Sequence, residues 1–309
     1  MIEPAFIVLR LLQYAGAMIL LGSSLFFIRA LPLSGGGSAE QIPWARKLLS
    51  GSAALLSIST LLWIAGQASL LAGSVAEGLT PETLIAVVTG FDLGKAAVVR
   101  AAVAGLAMIL VLSLRPARAA WLAGVLLGLV ATASFAWMGH GAATEGQLGL
   151  VHLASDIVHS WAAAIWIGAL VAFLLLLLAR TRSAETTTAL HRALHGFSGL
   201  GTLLVIALVL TGLVNSAILV GVQTVEGLWT TPYGRLLSLK LLLFVGMLGL
   251  AAKNRYRLTP ALGAALDTPA MQGAAIAALR RSVFVETVLG LAVLALVAWF
   301  GTLPPPSAH

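Results

Sequence analysis

Cysteine is absent from the 309-residue sequence. Disulfide bonds are therefore excluded, and so are thiolate ligands for a metal or a haem iron. Soft sulfur ligands are then limited to the thioether groups of methionine.

Charged residues are scarce, at 9% of the chain, while 60% of the residues are apolar and the mean hydropathy is +1.01. A soluble domain carries about 25% charged residues, so this chain cannot cover a water-facing surface. The net charge of +7 does not indicate a nucleic-acid partner, because basic residues of membrane proteins collect in cytoplasmic loops. No nucleotide-binding motif is present, which argues against direct coupling to ATP hydrolysis.

Long apolar runs make up most of the chain. Each is long enough to cross about 30 Å of hydrocarbon as an α-helix. The runs are Ala5–Arg29, Leu48–Ala72, Gly94–Leu114, Ala119–Met138, His152–Leu178, Gly196–Val220, Tyr233–Ala252 and Ser282–Gly301. A ninth apolar piece, Pro81–Thr89, is too short to span and is expected at the interface, with Thr80 as its N-cap. The sequence predicts an all-α integral membrane protein, an eight-helix transmembrane bundle in a single domain over residues 1–309.

The basic residues predict the orientation of this bundle. Thirteen of the 18 Lys and Arg residues lie in the odd-numbered loops, whereas the even-numbered loops carry acidic residues. The positive-inside rule places the odd loops in the cytoplasm and both termini outside. The first apolar run has no basic segment before it and is too long for a signal peptide, so we expect it to be retained.

Similar features recur in the two halves of the chain. Gly94-Lys95 followed by Arg100 opens the third span, and Gly234-Arg235 followed by Lys240 opens the seventh. Gly22 and Gly168 are 146 positions apart, as are Gly66 and Gly212. These correspondences indicate two four-helix repeats, over residues 1–139 and 152–301, related by an axis along the membrane normal.

Ionisable residues inside spans are costly and therefore indicate function. Most of those in this chain fall in the outer half of the membrane in the predicted orientation; Glu286 lies nearer the cytoplasmic side. Candidate pathway residues or charge partners are Arg10, Lys95, Arg100, Arg235, Lys240 and Glu286.

The fifth span carries the sharpest constellation, His152, Asp156 and His159. Spacings of four and seven residues place the three side chains on one helix face. His152 and His159 are about 10.5 Å apart along an ideal helix, too far to share one ion. Imidazole and carboxylate groups here, with His140 and Met138 in the preceding loop, form a ligand set that suits copper. Two arrangements remain open: a single copper site completed by His140, Met138 or another helix, or a ladder of sites along the helix. A purely structural Asp156 that neutralises Arg235 or Arg10 is the alternative without a metal.

Several motifs resemble the copper resistance D (CopD) family of bacterial inner-membrane proteins. They are His152-Leu-Ala-Ser-Asp156-Ile-Val-His159, Trp166-Ile-Gly168, His195-Gly-Phe-Ser198, Thr211-Gly212, Asn215, Tyr233-Gly234-Arg235, Lys240 and Lys253-Asn254-Arg255. The resemblance implies a multi-pass protein of the bacterial inner membrane that handles copper and takes it from the periplasm. In such a membrane the charge bias places both termini in the periplasm. The resemblance also implies a separate periplasmic copper-binding partner of the CopC type.

Two other functions remain open at this point. One is a haem b-containing membrane oxidoreductase, although haem is not expected, because His159 is the one clearly intramembrane histidine and bis-histidine haem needs two at similar depth. The other is a copper chaperone or assembly factor that binds the ion without transporting it. Copper transport is the leading hypothesis, and an enzymatic activity is not expected.

Overall fold

A computed structural model of the chain describes residues 2–30, 42–138, 146–178, 184–221 and 224–308. Every regular element in these ranges is helical. The α-helices are α1 (Ile2–Ala30), α2 (Pro43–Ala72), α3 (Val75–Gly78), α4 (Pro81–Gly90), α5 (Asp92–Ser113), α6 (Arg118–Ala133), α7 (Gly146–Leu178), α8 (Ala184–Leu219), α9 (Gly227–Thr230), α10 (Pro232–Lys253), α11 (Thr259–Ala264) and α12 (Pro269–Phe300). A 3₁₀ turn, Ser134–Trp137, extends α6, and a π-helical turn, Asn254–Leu258, joins α10 to α11.

Eight helical stretches are long and apolar enough to cross a membrane, which confirms the predicted all-α, eight-span class. They are α1, α2, α5, α6, α7, α8, α10 with its continuation through α11, and α12. An even number of spans places both chain termini at one end of the bundle, which we name the terminal end. The opposite end, where most Lys and Arg residues lie, we name the basic end.

Helix starts follow a simple local signal. Pro81, Pro232 and Pro269 each occupy the first turn of a helix directly after a threonine. Proline is suited to this position because its missing N–H would have no partner inside the helix. The start of α4 was predicted correctly, whereas α12 begins at Pro269, well before the predicted Ser282.

The helices are unevenly packed. Helix α1 is central and packs on α2, α6 and α7, while α12 packs on α7, α10 and α1. Helices α8 and α10 lie at the periphery: only 11% of the apolar part of each is buried inside the protein. They have almost no direct contact with each other, so a groove runs between them with α7 and α12 as its floor.

The central contact between α1 and α7 is made by two glycines, Gly22 and Gly168. A Cβ on Gly22 would lie 2.7 Å from Gly168 Cα and would overlap the carbonyl oxygen of Ala164. Ser23 Oγ donates a hydrogen bond to the Gly168 carbonyl at 2.9 Å. Small residues allow two membrane helices to approach this closely.

A second pair of glycines makes equivalent contacts in the two halves. Gly94 is the third residue of α5, and Gly234 is the third residue of α10. A Cβ on Gly94 would overlap the Val87 carbonyl of α4, and one on Gly234 would overlap the Gly227 carbonyl of α9. In both places a short helix packs against the start of the span that follows it.

Candidate metal site

Helix α7 presents His152, Asp156 and His159 along one face, as predicted from their spacing. His152 is completely buried, and Asp156 and His159 are partly buried. The three residues lie towards the terminal end, because α7 starts there at Gly146. The same face continues towards the basic end through Trp166 at the next seven-residue step.

Asp156 is held by neighbours from two other helices. Asn215 of α8 donates a hydrogen bond from Nδ2 to Asp156 Oδ1 at 2.6 Å. Lys240 of α10 acts on Asp156 by its positive charge, and Tyr233 is buried nearby. Within the described ranges the one ion pair closer than 4.0 Å joins Lys95 to Asp92. Asp156 and Lys240 therefore interact across a gap, without a direct contact.

The hydrogen bonds around His159 determine which ring nitrogen can bind a metal. Nδ1 of His159 lies 2.9 Å from Thr211 Oγ1. The hydroxyl group of Thr211 donates its single hydrogen to the Ala207 carbonyl at 2.6 Å, so Oγ1 accepts a hydrogen bond from Nδ1–H of His159. Nε2 of His159 then carries the lone pair, and a neutral imidazole in this tautomer is a metal ligand oriented by its second nitrogen.

The described residues do not form a closed metal cage. Among them, no group of three or more His, Cys, Asp or Glu side chains is close enough to hold one ion. His140, predicted to complete the site, lies outside the described residues. His152, Asp156 and His159 are spread along the helix axis, an arrangement that favours the ladder over a single shared site.

A second polar cluster lies towards the basic end around Glu286 of α12. This carboxyl group is only 2% exposed. Its Oε1 accepts a hydrogen bond from Trp166 Nε1 at 3.0 Å, and its Oε2 accepts one from Asn254 Nδ2 at 2.8 Å. Glu286 is thus held by α7 and by the π-helical turn after α10.

A cavity of about 300 Å³ opens beside Glu286, in the groove between α8 and α10. Its walls are mainly apolar, with Ser198 and Thr202 of α8 as polar exceptions. Arg255 borders the cavity and donates hydrogen bonds to Thr202 Oγ1 and to the Ser198 carbonyl. The cavity therefore links the buried Glu286 to a basic residue at the basic end.

The other predicted charge partners are bound locally. Arg10 donates to the Gly301 carbonyl at 3.0 Å and to the Tyr14 hydroxyl at 3.2 Å. Arg235 donates from Nε to the Trp229 carbonyl at 2.9 Å. The basic neighbour of Asp156 is therefore Lys240, and the alternative in which Asp156 neutralises Arg235 or Arg10 is not what the structure has.

Arg100 is completely buried in the first half of the chain. Its guanidinium donates to Gln13 Oε1 at 2.6 Å, to Ser134 Oγ at 2.8 Å and to Met138 Sδ at 2.7 Å, and it lies 4.2 Å over the Phe135 ring. Met138, a predicted copper ligand, thus directs its sulfur at a positive charge. A copper ion on this sulfur would be repelled by the guanidinium.

Replacement of Arg100 by leucine is expected to lower stability by on the order of 3 kcal/mol, because Gln13 and Ser134 lose a charged donor in a buried site. Thermal unfolding in detergent measures this loss. Lys95→Leu is the matched control, since the Lys95 side chain is 58% exposed. Equal melting temperatures for the two variants would contradict a structural role for Arg100.

Two family models match the chain: "Copper resistance protein D-like, N-terminal domain" over residues 1–150 and "Copper resistance protein D" over residues 191–300. Copper resistance protein D of Pseudomonas syringae pv. tomato is 37% identical over 98% of this chain and 97% of its own length. The chain belongs to the copper resistance D family. With eight helices long and apolar enough to cross a membrane, it is a multi-pass membrane protein of this family.

More distant relatives match over a smaller part of their own length. The copper transport protein CutJ of Bacillus subtilis (strain 168) is 28% identical over 88% of this chain and 48% of the relative. The inner membrane protein YebZ of Escherichia coli (strain K12) is 30% identical over 58% of this chain and 59% of the relative. No solved structure shows a significant match.

The copper resistance D models leave residues 151–190 between their two matches. The candidate ligands of α7, His152 to His159, fall in this interval, while Lys240, Asn215 and Glu286 fall in the second match. The full-length relative covers both regions. The candidate ligands of α7 therefore lie between the two matched regions.

Sequence reasoning missed the roles of the uncharged polar residues. Thr211, Asn215 and Trp166 were noted only as parts of motifs. Their roles follow from a signal present in the sequence: Thr211 and Asn215 are four residues apart and therefore share one face of α8. A search for polar pairs at helical spacing inside spans would have found them.

Proposed function

We propose that this protein carries copper across the bacterial inner membrane, taking it up at the terminal end from the periplasm. The observation that carries the proposal is the face of α7 on which the Asp156 carboxylate and the His159 Nε2 lone pair follow one another inside the bundle. Family membership supports copper as the ion, because relatives are named for copper resistance and copper transport.

The charge distribution supports this direction. Lys and Arg residues are concentrated at the basic end, which the positive-inside rule assigns to the cytoplasm. In this orientation the terminal end, with both chain termini, is periplasmic. Copper would be captured there by His140 and His152, and a separate periplasmic protein of the CopC type would deliver it.

The ion would then pass to Asp156 and His159. Lys240 gives this site a built-in counter-charge, so a bound cation is attracted by Asp156 and repelled by Lys240. A transport site must bind strongly enough for entry and weakly enough for exit. Attraction by Asp156 favours entry of the ion, and repulsion by Lys240 favours its exit. The Glu286 cluster offers a carboxylate on the exit side.

Copper uptake into proteoliposomes tests the proposal. We expect uptake by the wild-type protein, and a decrease of at least about tenfold for Asp156→Asn and His159→Gln, the scale seen when groups around a bound metal are removed. Asp92→Asn and His195→Ala are the matched controls, because both side chains are exposed. Uptake that is unchanged in both site variants would show that the site is wrong.

Binding without uptake would favour the other copper-related function, a chaperone or assembly factor. Metal content of the purified protein distinguishes the two results. Wild-type protein that binds copper through Asp156 and His159, yet releases none inside the vesicle, would contradict transport and leave the binding site intact.

We also propose that the bundle consists of two repeats, residues 1–139 and 152–301. The Gly22–Gly168 contact supports this, because equivalent positions 146 residues apart meet at the interface between the halves. Gly94 and Gly234 support it too, since each accommodates the carbonyl of the residue seven positions before it. Arg100 and Lys240 would then occupy equivalent positions, one in a hydrogen-bonded structural cluster and one at the metal site.

A further inference from the structure

A buried methionine lies between the two polar clusters. Met247 of α10 is 4% exposed. It follows Lys240 by seven residues and precedes Asn254 by seven, so all three share one face of the helix. At 1.5 Å per residue, Met247 is about 10.5 Å from each along the helix axis. It therefore stands midway between the Asp156–His159 site and the Glu286 cluster.

Helix α7, in the floor of the groove, carries its polar residues at the same levels as α10. Helices α7 and α10 both run from the terminal end to the basic end, and His159 lies at the level of Lys240, whose charge acts on it. Trp166 lies seven residues further along α7 and donates a hydrogen bond to Glu286. Met247 therefore faces the stretch of α7 that separates the upper ligands from the lower carboxyl group.

The terminal methyl group of Met247 lies beside Gly290 of α12, which has no side chain. A Cβ on Gly290 would lie 3.4 Å from Met247 Cε and 3.6 Å from Ile167 Cγ1. Gly290 is one helical turn from Glu286, towards the terminal end. The cavity beside Glu286 is lined on α10 by Leu248, which follows Met247 directly, and by Ala251, one turn after Met247. Met247 therefore lies next to this cavity, on the side of the terminal-end site.

A methionine in an apolar core ordinarily fills space, and leucine serves equally well there. Its thioether has a second property that leucine lacks: it is a soft, uncharged ligand for Cu(I). A thioether between the His159 imidazole, about 10.5 Å away towards the terminal end by helix rise, and the Glu286 carboxyl group on the other side is the group that could receive a monovalent copper ion inside hydrocarbon. A doubly charged ion would gain less there, because the desolvation cost of an ion rises steeply with its charge.

We propose that Met247 is an intramembrane ligand that passes copper from the Asp156–His159 site to the Glu286 cavity, and that the transported ion is Cu(I). This inference rests on the proposed transport function. The ion enters already reduced, so the step exchanges ligands and transfers no electron. The ion leaves Nε2 of His159, moves about 10.5 Å along the helices to bind the Met247 sulfur, and then leaves the sulfur at the cavity.

The test compares uptake of Ag⁺, a monovalent soft cation with stable charge, into proteoliposomes containing full-length variants. Met247→Leu is expected to lower uptake at least about tenfold, while Met247→Cys, which restores a soft sulfur ligand, retains it. Met18→Leu is the control, since Met18 is a buried methionine of α1 in the other half. Thermal unfolding of each variant establishes that all are folded.

The outcomes separate this inference from the function on which it rests. Wild-type uptake that depends on Asp156 but is unchanged by Met247→Leu overturns the role of Met247 and leaves transport standing. Loss of uptake in both Met247→Leu and Met247→Cys, with normal unfolding temperatures, also overturns it, because packing rather than sulfur would then matter. Wild-type protein that takes up Cu(II) but neither Ag⁺ nor Cu(I) overturns the Met247 inference alone, whereas uptake of none of the three ions overturns both proposals.

Discussion

Replacement of Gly168 by leucine is expected to prevent stable packing of the two halves of the bundle. A Cβ at this position would lie within 2.6 Å of Ser23 N, and Gly22 is equally close on the facing helix. These neighbours are backbone atoms in the middle of helices, so they cannot rotate away as a side chain would. Helices α1 and α7 would have to separate along their length.

The expected loss is large because separation affects more than one contact. Overpacking of a core by a few methylenes costs about 1–3 kcal/mol even where side chains can adjust. Here the displaced helix α1 also packs on α2 and α6, and the Ser23–Gly168 hydrogen bond is lost. We expect aggregation in detergent, measured by size-exclusion chromatography, and Gly22→Leu is expected to behave in the same way.

Gly199→Leu is the matched control, because nothing lies within 4 Å of the Cβ position of this glycine in α8. It adds the same side chain to an exposed helix face. A monodisperse Gly168→Leu protein with the unfolding temperature of the control would show that the α1–α7 contact does not hold the halves together.

The number and class of the helices were predictable from the sequence, because span length depends only on hydrophobicity and helix rise. The early start of α12 was not predicted, since the stretch from Pro269 to Arg281 is too polar at its end to resemble a span. It is nevertheless rich in alanine, a strong helix former, and follows the threonine–proline signal that was recognised at Pro81. Helices that extend beyond the hydrocarbon need this local signal as well as hydropathy.

The candidate ligands were predictable for a similar reason, and their partners were not. Spacing alone places His152, Asp156 and His159 on one face of α7. It does not specify which helix that face meets, so Lys240 was considered no more than Arg10 or Arg235 as a partner of Asp156. Depth along a span can be counted in residues, whereas the neighbour across a groove depends on how eight helices pack.

Opposite changes in copper affinity are expected when the two charges of the site are removed one at a time. Asp156→Asn removes the negative charge and weakens binding, whereas Lys240→Met removes the positive charge and strengthens it. A unit charge contributes about 2 kcal/mol even at about 8 Å and an effective dielectric constant of about 20, and Asp156 as a ligand lies closer than that, so each shift exceeds about tenfold. Equilibrium competition with a Cu(I) chelator measures both affinities.

The two substitutions are expected to change the stability of the protein in the same direction, unlike its copper affinity. Each single substitution leaves one charge in the bundle without its counter-charge, and both therefore lower the unfolding temperature. The double variant Asp156→Asn/Lys240→Met removes both charges, so its loss is smaller than the sum of the single losses by about 0.5–3 kcal/mol, the usual range for interacting neighbours. Arg235→Met is the control, because this exposed arginine on the same helix donates to the Trp229 carbonyl.

Taken together, the two measurements distinguish a binding site from a structural charge pair. If Asp156 and Lys240 are only a structural charge pair, the stability losses of the two single variants are not additive. Copper affinity then falls, or does not change, in both single variants. A transport site opposed by its own lysine predicts that Lys240→Met binds copper more tightly and yet transports it more slowly, because release then becomes the limiting step. Faster transport in Lys240→Met would contradict the role of Lys240 as the internal counter-charge.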